Sequence, residues 1–584
     1  MAKTGCGTAN QSEEYYDYIV ERSLILERMQ EYFPNACSEQ VGLKYDFLHI
    51  PMENTEGLSG RGDMKKLIQD VTRFGYTAIP KAFGLMDTSS VEATGVLRVQ
   101  NQPVLNLRGQ GVILGFVDTG IAYDLPIFQN EDGTSRILGL WDQTVVSEKE
   151  YTEEADFFRW EYGTYYNQEE ITAALKSEHP YDVVPSRDEE GHGTFLAGIA
   201  AGKVDRKADF IGMAPDASLA VVKLKPMKQY MRRFFSIPDG VVAYSEIDIY
   251  NAVSFLLELS WYYRKPVVMC IGLGTNQGGH DGRMPISDYM SQISNSRGMA
   301  VVQAAGNEGN ARRHYYGRVS ENLQDVVEIK VGKNVEGFCV ELWGNSLNTF
   351  YVGIQSPSGK TVPPVPPERD EVREYDFILD GSKVYIYDYV TVSQGGDYVV
   401  VLHFQTPAEG VWKIQVAAKG SFDTEYHMWM PITQFAPEDT YFLQSNPYTT
   451  LTSNACATST LVMGMYNHYS DALTPESSKG YTRTNQVKPD LAAPGVNVYG
   501  PLTDGSYGYR TGSSIAAAHG AGASALLMEY GIARGNATYM DGVDIRSLLI
   551  RGAARKPMLE YPNPDWGYGT LDVYETFQVI AGQR

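Results

Sequence analysis

Three short stretches of this chain, far apart in sequence, place an alcohol, an imidazole and a carboxylate in contexts that suit acyl transfer. Ser514 lies in Thr511-Gly512-Ser513-Ser514, directly before a run of small residues from Ile515 to Gly522. His192 stands between glycines in Glu190-Gly191-His192-Gly193-Thr194, and Asp118 ends the apolar run Gly111-Val112-Ile113-Leu114-Gly115-Phe116-Val117. Each alone reads as ordinary structure: a helix-capping serine, a loop histidine, a turn-forming aspartate. In the order Asp, His, Ser they supply an orienting carboxylate, a general base and a nucleophile.

Such groups work only if the backbone holds them together. The apolar run before Asp118 predicts a buried parallel strand that delivers the carboxylate at its C-terminal end, the edge where open α/β sheets build their sites. The small residues after His192 and after Ser514 predict tightly packed helices. A serine at a helix N-terminus meets free N–H groups and the positive end of the macrodipole. Ser218–Leu224 and Pro266–Ile271 read as further buried strands, separated by an amphipathic helix over Ile247–Tyr263. This alternation predicts an α/β fold with a parallel sheet covered by helices on both faces. Between Asp118 and His192, the charged stretches Glu148–Glu154 and Asn167–Glu170 predict a solvated surface insertion with helical pieces. The basic, aromatic segment Tyr230–Phe235 fits either a substrate-cleft rim or a packed loop. Asn276–Gly282 reads as an exposed turn, with His280 outside the chemistry.

Two regions stand apart from this alternation. Residues 1–86 read as a small α/β unit: a helix over Tyr15–Phe33, a strand or strand pair over Val41–Pro51, a second helix over Met64–Thr72 and an extended Tyr76–Met86. Residues 323–433 hold Val326–Val331, Phe338–Trp343, Phe350–Ile354, Lys383–Tyr387, Asp397–Phe404 and Val411–Val416, short strands with Gly/Pro turns and no helical period. They predict an inserted all-β sandwich or jelly roll, with Pro363-Pro364-Val365-Pro366-Pro367 as a rigid loop. Residues 87–322 and 434–584 are then the two parts of one core, whose final helix is expected over Asp544–Ala553.

Composition narrows the function classes. A net charge of −22 argues against nucleic-acid partners and anionic membrane surfaces. No apolar run approaches membrane-spanning length, so membrane insertion is not expected. The N-terminus lacks the apolar region of a secretory signal, and 5 scattered cysteines read as reduced thiols in an intracellular compartment. Acidic clusters lack ordered ligand spacing, so neither metal nor cofactor is expected. The 40 tyrosines suit extensive packed surfaces and carry no functional reading.

The three motifs in this order resemble the subtilisin-like serine proteases. Gly212–Ala217 and Lys488–Gly495 resemble framework segments of that family, and the likeness covers roughly residues 90–320 and 435–584. It implies a serine endopeptidase with Asp118, His192 and Ser514 as its triad. Ala304-Ala305-Gly306-Asn307 matches the stretch where the family places its oxyanion amide, which assigns that role to Asn307. By the same resemblance Gly272, Leu273 and Gly274 form one wall of the S1 pocket, and Ala304, Ala305 and Gly306 the other. Residues 1–86 resemble a prodomain that templates folding and sits in the active-site cleft. Self-cleavage is expected between Gly84 and Ser90, with Met86–Asp87 the selected bond. Ser513 replaces a common Thr, and Ala518 a common Pro.

A β-domain so placed narrows the resemblance to the Csp germination proteases of Clostridia and related spore formers, in which the jelly roll braces the core. That group implies a cytoplasmic or spore-associated enzyme acting on the proform of a cortex-lytic enzyme. Some of its members are pseudoproteases, which leaves a regulatory or binding protein with a plugged cleft as the alternative.

Overall fold

The computed structural model describes residues 15–21, 37–41, 45–51, 89–145, 162–227, 232, 235–321, 323–365, 372–390, 396–420 and 422–582. The chain separates into two compact units, Met1–Met86 and Asp87–Arg584.

In the first unit Tyr45–Pro51 is the centre of a three-stranded antiparallel sheet, flanked by Tyr15–Glu21 and Cys37–Val41. The pair expected within Val41–Pro51 is present, extending back to Cys37. The helix expected from Tyr15 is corrected: its first segment is a strand, because Tyr15, Tyr16, Tyr18, Ile19 and Val20 are strong strand formers and outweigh the helical spacing. Cys37 is disulfide-bonded, whereas Cys270, Cys339 and Cys456 are free and buried, so among the four described cysteines the expectation of reduced thiols holds for three; Cys6 lies outside the described residues. Met64–Thr72, Tyr76–Met86 and the Met86–Asp87 bond lie outside the described residues.

The second unit is built on a mixed sheet. From one edge it runs Ala472–Leu473, Leu461–Asn467, Met299–Ala304, Val267–Ile271, Ile113–Asp118, Ser218–Lys223, Ile137–Asp142 and Thr164–Asn167, with Leu491–Pro494 also paired to Leu461–Asn467. The inner pairs are parallel and the two end pairs antiparallel. Side chains alternate between faces along each strand, and both faces are covered. Leu114, Phe116, Val268 and Val302 pack with the helices His192–Ala201 and Ser513–Met528, while Ile113, Val117, Val267 and Val301 pack with Glu246–Tyr263 and Pro285–Ser294. Every residue of Ser513–Met528 is buried, which its small side chains permit.

The stretch between Asp118 and His192 is not all surface. Ile137–Asp142 is a fully buried strand of the main sheet, and the charged Asn167–Glu170 caps the helix Gln168–Leu175 through a reciprocal capping box. The helix Gly542–Gly552 is followed by another, Val573–Ile580, which is the last in the chain among the described residues.

Two antiparallel sheets make the β-rich region. One orders His314–Val319, Thr424–Trp429, Gly337–Asn345, Asp397–Gln405, Ser382–Val390 and Val372–Phe377. The other orders Thr361–Val365, Thr349–Gln355, Gly410–Lys419, Asp325–Val331 and Tyr441–Phe442. They share a core in which Phe404 meets Trp412 edge-on at 5.4 Å. His314–Val319 and Tyr441–Phe442 extend this region beyond 323–433 on both sides. The segment read as a rigid proline loop is in its first part the edge strand Thr361–Val365, where missing N–H donors are tolerated.

Asn276–Gly282, expected as an exposed turn, is the joint between sandwich and core. His280 is fully buried and stacks on Trp429 at 3.9 Å. Arg483 donates to both carboxylate oxygens of Asp397 in the sandwich and to Asp281 and the Gly279 carbonyl in the core. The buried Glu341 carboxylate accepts from the Gly278 N–H and the Trp343 indole. A short apolar signal and several glycines hid this burial, because the covering groups are remote in sequence: Trp429 of the sandwich and Leu451 and Ser453 of the core.

Candidate active site

Asp118 leaves the C-terminal end of its strand, His192 begins a helix and Ser514 lies in the first turn of another. The three meet. His192 Nδ1 lies 2.6 Å from Asp118 Oδ1, and His192 Nε2 lies 2.9 Å from Ser514 Oγ. With Nδ1–H donated to the carboxylate, Nε2 presents its lone pair to the hydroxyl. Asp118 is 1% exposed, whereas 31% of the His192 side chain reaches solvent. The carboxylate is therefore shielded while the imidazole can exchange protons with water. Burial by itself lowers the His192 pKa, but the charge and hydrogen bond of Asp118, with help from Asp188, outweigh it and hold the pKa above its ordinary value.

Close approach of the elements is built into the backbone. A Cβ on Gly193 would lie 2.2 Å from the Gly120 carbonyl oxygen, so only glycine lets this helix sit against the Asp118 loop. Sequence reasoning missed Asp188. Its Oδ1 accepts from Thr119 Oγ1 and the Gly191 N–H, and its Oδ2 from the Thr194 N–H and Thr194 Oγ1. Thr119 Oγ1 in turn accepts from the Gly193 N–H. This buried carboxylate ties the Asp118 loop to the start of the His192 helix. The signal was present as a carboxylate four residues before a glycine-flanked histidine.

Asn307 is exposed and lies beside the serine: its Oδ1 accepts the Ser513 N–H at 3.0 Å, which leaves the amide nitrogen as donor. Ser513 Oγ accepts the Gly306 N–H at 3.1 Å, so the residue before the nucleophile holds the Asn307 loop twice. The two parallel strands Val267–Ile271 and Met299–Ala304 lie side by side, and Gly272-Leu273-Gly274 and Ala305-Gly306 continue from them. Gly272 packs on the triad, since a Cβ there would lie 3.1 Å from both His192 Cε1 and Asp118 Oδ2. Ala304, Ala305 and Gly306 are buried, and Gly274 is exposed. All ten site positions anticipated in the core thus gather at one sheet edge.

A groove of about 470 Å³ begins at Thr119 and is lined by Lys223, Arg232 and Tyr244 among others. Arg232, from the segment Tyr230–Phe235, lines this groove and donates to the Pro238 and Val241 carbonyls. An alcohol facing an imidazole oriented by a carboxylate, with an amide and a helix N-terminus nearby, suits attack on a carbonyl.

Comparison with known proteins agrees with this geometry. The profile of the Subtilase family matches residues 109–338 and 390–570, more than half of the chain. Among solved structures, the Clostridium perfringens CspB protease is similar, with a TM-score of 0.74 and 29% identity over 85% of this chain and 98% of that one. The PII-type proteinase of Lacticaseibacillus paracasei is 21% identical over 92% of this chain but 30% of its own length. Subtilisin-like protease SBT1.9 of Arabidopsis thaliana is 29% identical over 25% of this chain and 19% of its own. The chain thus spans less than a third of these two curated relatives. Together with the site it builds, the match shows that this chain belongs to the subtilase family of serine peptidases.

Proposed function

We propose that the protein is a serine endopeptidase in which Ser514 Oγ attacks a peptide carbonyl. His192 Nε2 takes the hydroxyl proton and returns it to the leaving amine, while Asp118 fixes the tautomer and stabilises the imidazolium. The Asn307 amide and the Ser514 N–H bind the oxyanion, each donor contributing about 3 kcal/mol in the transition state. The unbroken Asp118–His192–Ser514 hydrogen-bond series carries this reading.

The resemblance to CspB supports a finer account. Residues 1–86 act as a prodomain that occupies the cleft until the chain cuts itself between Gly84 and Ser90, Met86–Asp87 being the bond that the sequence selects. The jelly-roll insert braces the core, and the substrate is the proform of a cortex-lytic enzyme, cut at spore germination. Arg483, which pairs with Asp281 and Asp397, and Glu341, which accepts the Gly278 N–H, connect sandwich and core and support the bracing role.

Intact-mass analysis of the purified protein beside Ser514→Ala tests this account. Two fragments from the wild type and one chain from the variant are expected. A single chain from both, with no labelling by a fluorophosphonate, would favour a regulatory protein with its cleft plugged.

A further inference from the structure

We propose that Glu308 is a positioning residue: its carboxylate fixes the loop that carries Asn307, the oxyanion amide, to the segment leaving the sandwich. The inference rests on the peptidase reading and goes beyond it by giving the inserted domain a part in the reaction. Asn307 is exposed and lies on a loop beyond the strand Met299–Ala304, so its amide is only as well placed as the residues that flank it. Ser478 clamps the backbone on both sides. Its N–H donates to the Gly306 carbonyl at 3.0 Å, and its Oγ accepts the Glu308 N–H at 3.0 Å. The Glu308 side chain adds a second anchor from a different direction in the sequence. It is 5% exposed, and its carboxylate accepts the Thr433 N–H at 3.2 Å and the Thr433 hydroxyl at 2.9 Å.

Thr433 opens a single turn, Thr433–Phe435, on the segment that follows the sandwich strand Thr424–Trp429. Two residues on, Phe435 packs with Met227, Ile237 and Ala243, and Met227 and Ala243 line the groove that begins at Thr119. The buried Arg313 donates to the Ala436 and Pro437 carbonyls at 2.9 and 3.0 Å, and its charge favours the ionised form of Glu308. One short segment is therefore held to the oxyanion loop at Thr433 and to the groove wall at Phe435. A carboxylate beside an oxyanion site would oppose the negative charge that develops there. Turning it toward two donors and a nearby guanidinium neutralises that charge and makes the side chain an anchor. Misplacing a catalytic donor by about 1 Å costs on the order of 100-fold in rate.

The test follows the rate at which a fluorophosphonate labels Ser514 in the full-length protein, because the phosphoryl oxygen takes the place of the oxyanion. Glu308→Ala should lower the maximal labelling rate by roughly 10–100-fold and leave the half-saturating concentration within about 3-fold. Glu308→Gln, whose amide oxygen still accepts the Thr433 N–H, should stay within about 5-fold of the wild type. The substitutions are then repeated beside Asn307→Ala. There Glu308→Ala should cost less than about 2-fold more, since its effect passes through an amide that is gone. A merely structural role would lower both backgrounds alike, and equal losses overturn the inference. Thr433→Val removes only the hydroxyl donor and carries the comparison if Glu308→Ala does not fold. It should cost roughly 3–10-fold with Asn307 present and nothing without it; a loss in both backgrounds, or in neither, overturns the inference. Labelled wild type with equal losses keeps the peptidase and removes the coupling, whereas no labelling of the wild type overturns both.

Discussion

Histidine appears in two settings within the second unit, and burial acts in the same direction in both. At the catalytic edge, His192 is held above its ordinary pKa because Asp118 bonds it directly. At the joint between sandwich and core, His280, His314 and His427 stack around Trp429, with ring centroids 3.9, 5.0 and 5.2 Å away. Burial pushes His280 down to about 4 and His314 to about 3, and His427 also falls well below its usual range. Backbone carbonyls at 2.7 and 2.9 Å from the His280 nitrogens do not reverse this. Arg483 lowers His280 and His427 further. A full negative charge in contact distinguishes a base poised for proton transfer from an aromatic ring that happens to contain nitrogen.

The largest effect that would break this contrast is a swap of consequences. His192→Ala should cut kcat by roughly 10⁴–10⁶-fold while moving the melting temperature little. His280→Ala should cost about 2–4 kcal/mol in denaturant unfolding, through lost stacking and orphaned carbonyls, and leave the kcat of the folded fraction near wild type. Equal losses of activity from both would erase the distinction. Asp118→Asn comes next: about 10⁴-fold lower kcat is expected, with the acid limb of the pH–rate profile moving to lower pH.

Arg483→Met sharpens the other side. It removes the cation that pairs with the buried Asp281 and Asp397 carboxylates and should cost about 3–5 kcal/mol by denaturant titration.

The response to pH is the graded effect, and its sign differs between the two settings. His192 is raised above 6.5, so the acid limb of kcat/KM should lie above pH 6.5. Its contribution to stability is full below pH 6.5 and is lost as pH rises through the raised value. For His280 the unfolded chain takes up a proton first, so stability holds above about 6.5 and falls as pH drops from there to about 4. The slope is about 1.4 kcal/mol per pH unit for one such histidine. Thermal melts across pH 4–8, beside the activity profile, would show both limbs.

Much of the site was legible because its motifs are local. Asp-Thr-Gly at a strand end, glycine-flanked His192 and Gly-Ser-Ser before small residues each declare their own backbone setting. The strands of the sandwich, such as Asp397–Gln405, announced themselves by continuous apolar runs. The misses share a cause, which is that the deciding partner is remote. Ile137–Asp142 looked like part of a surface insertion, yet pairs in parallel with Ser218–Lys223 deep in the sheet. Thr424–Trp429 carries alternating polar residues and becomes a strand between His314–Val319 and Gly337–Asn345. Asp188 showed no role until Thr119 and Thr194 were seen to converge on it.

The amino-acid order alone determined which groups are available for chemistry and which backbone turns and helix starts present them, because propensity, glycine freedom and apolar period act over a few residues. Only the folded chain decided that His280 is buried and that Ser513 holds the Asn307 loop. Those outcomes depend on distances between segments more than a hundred residues apart, which packing sets and local sequence does not encode.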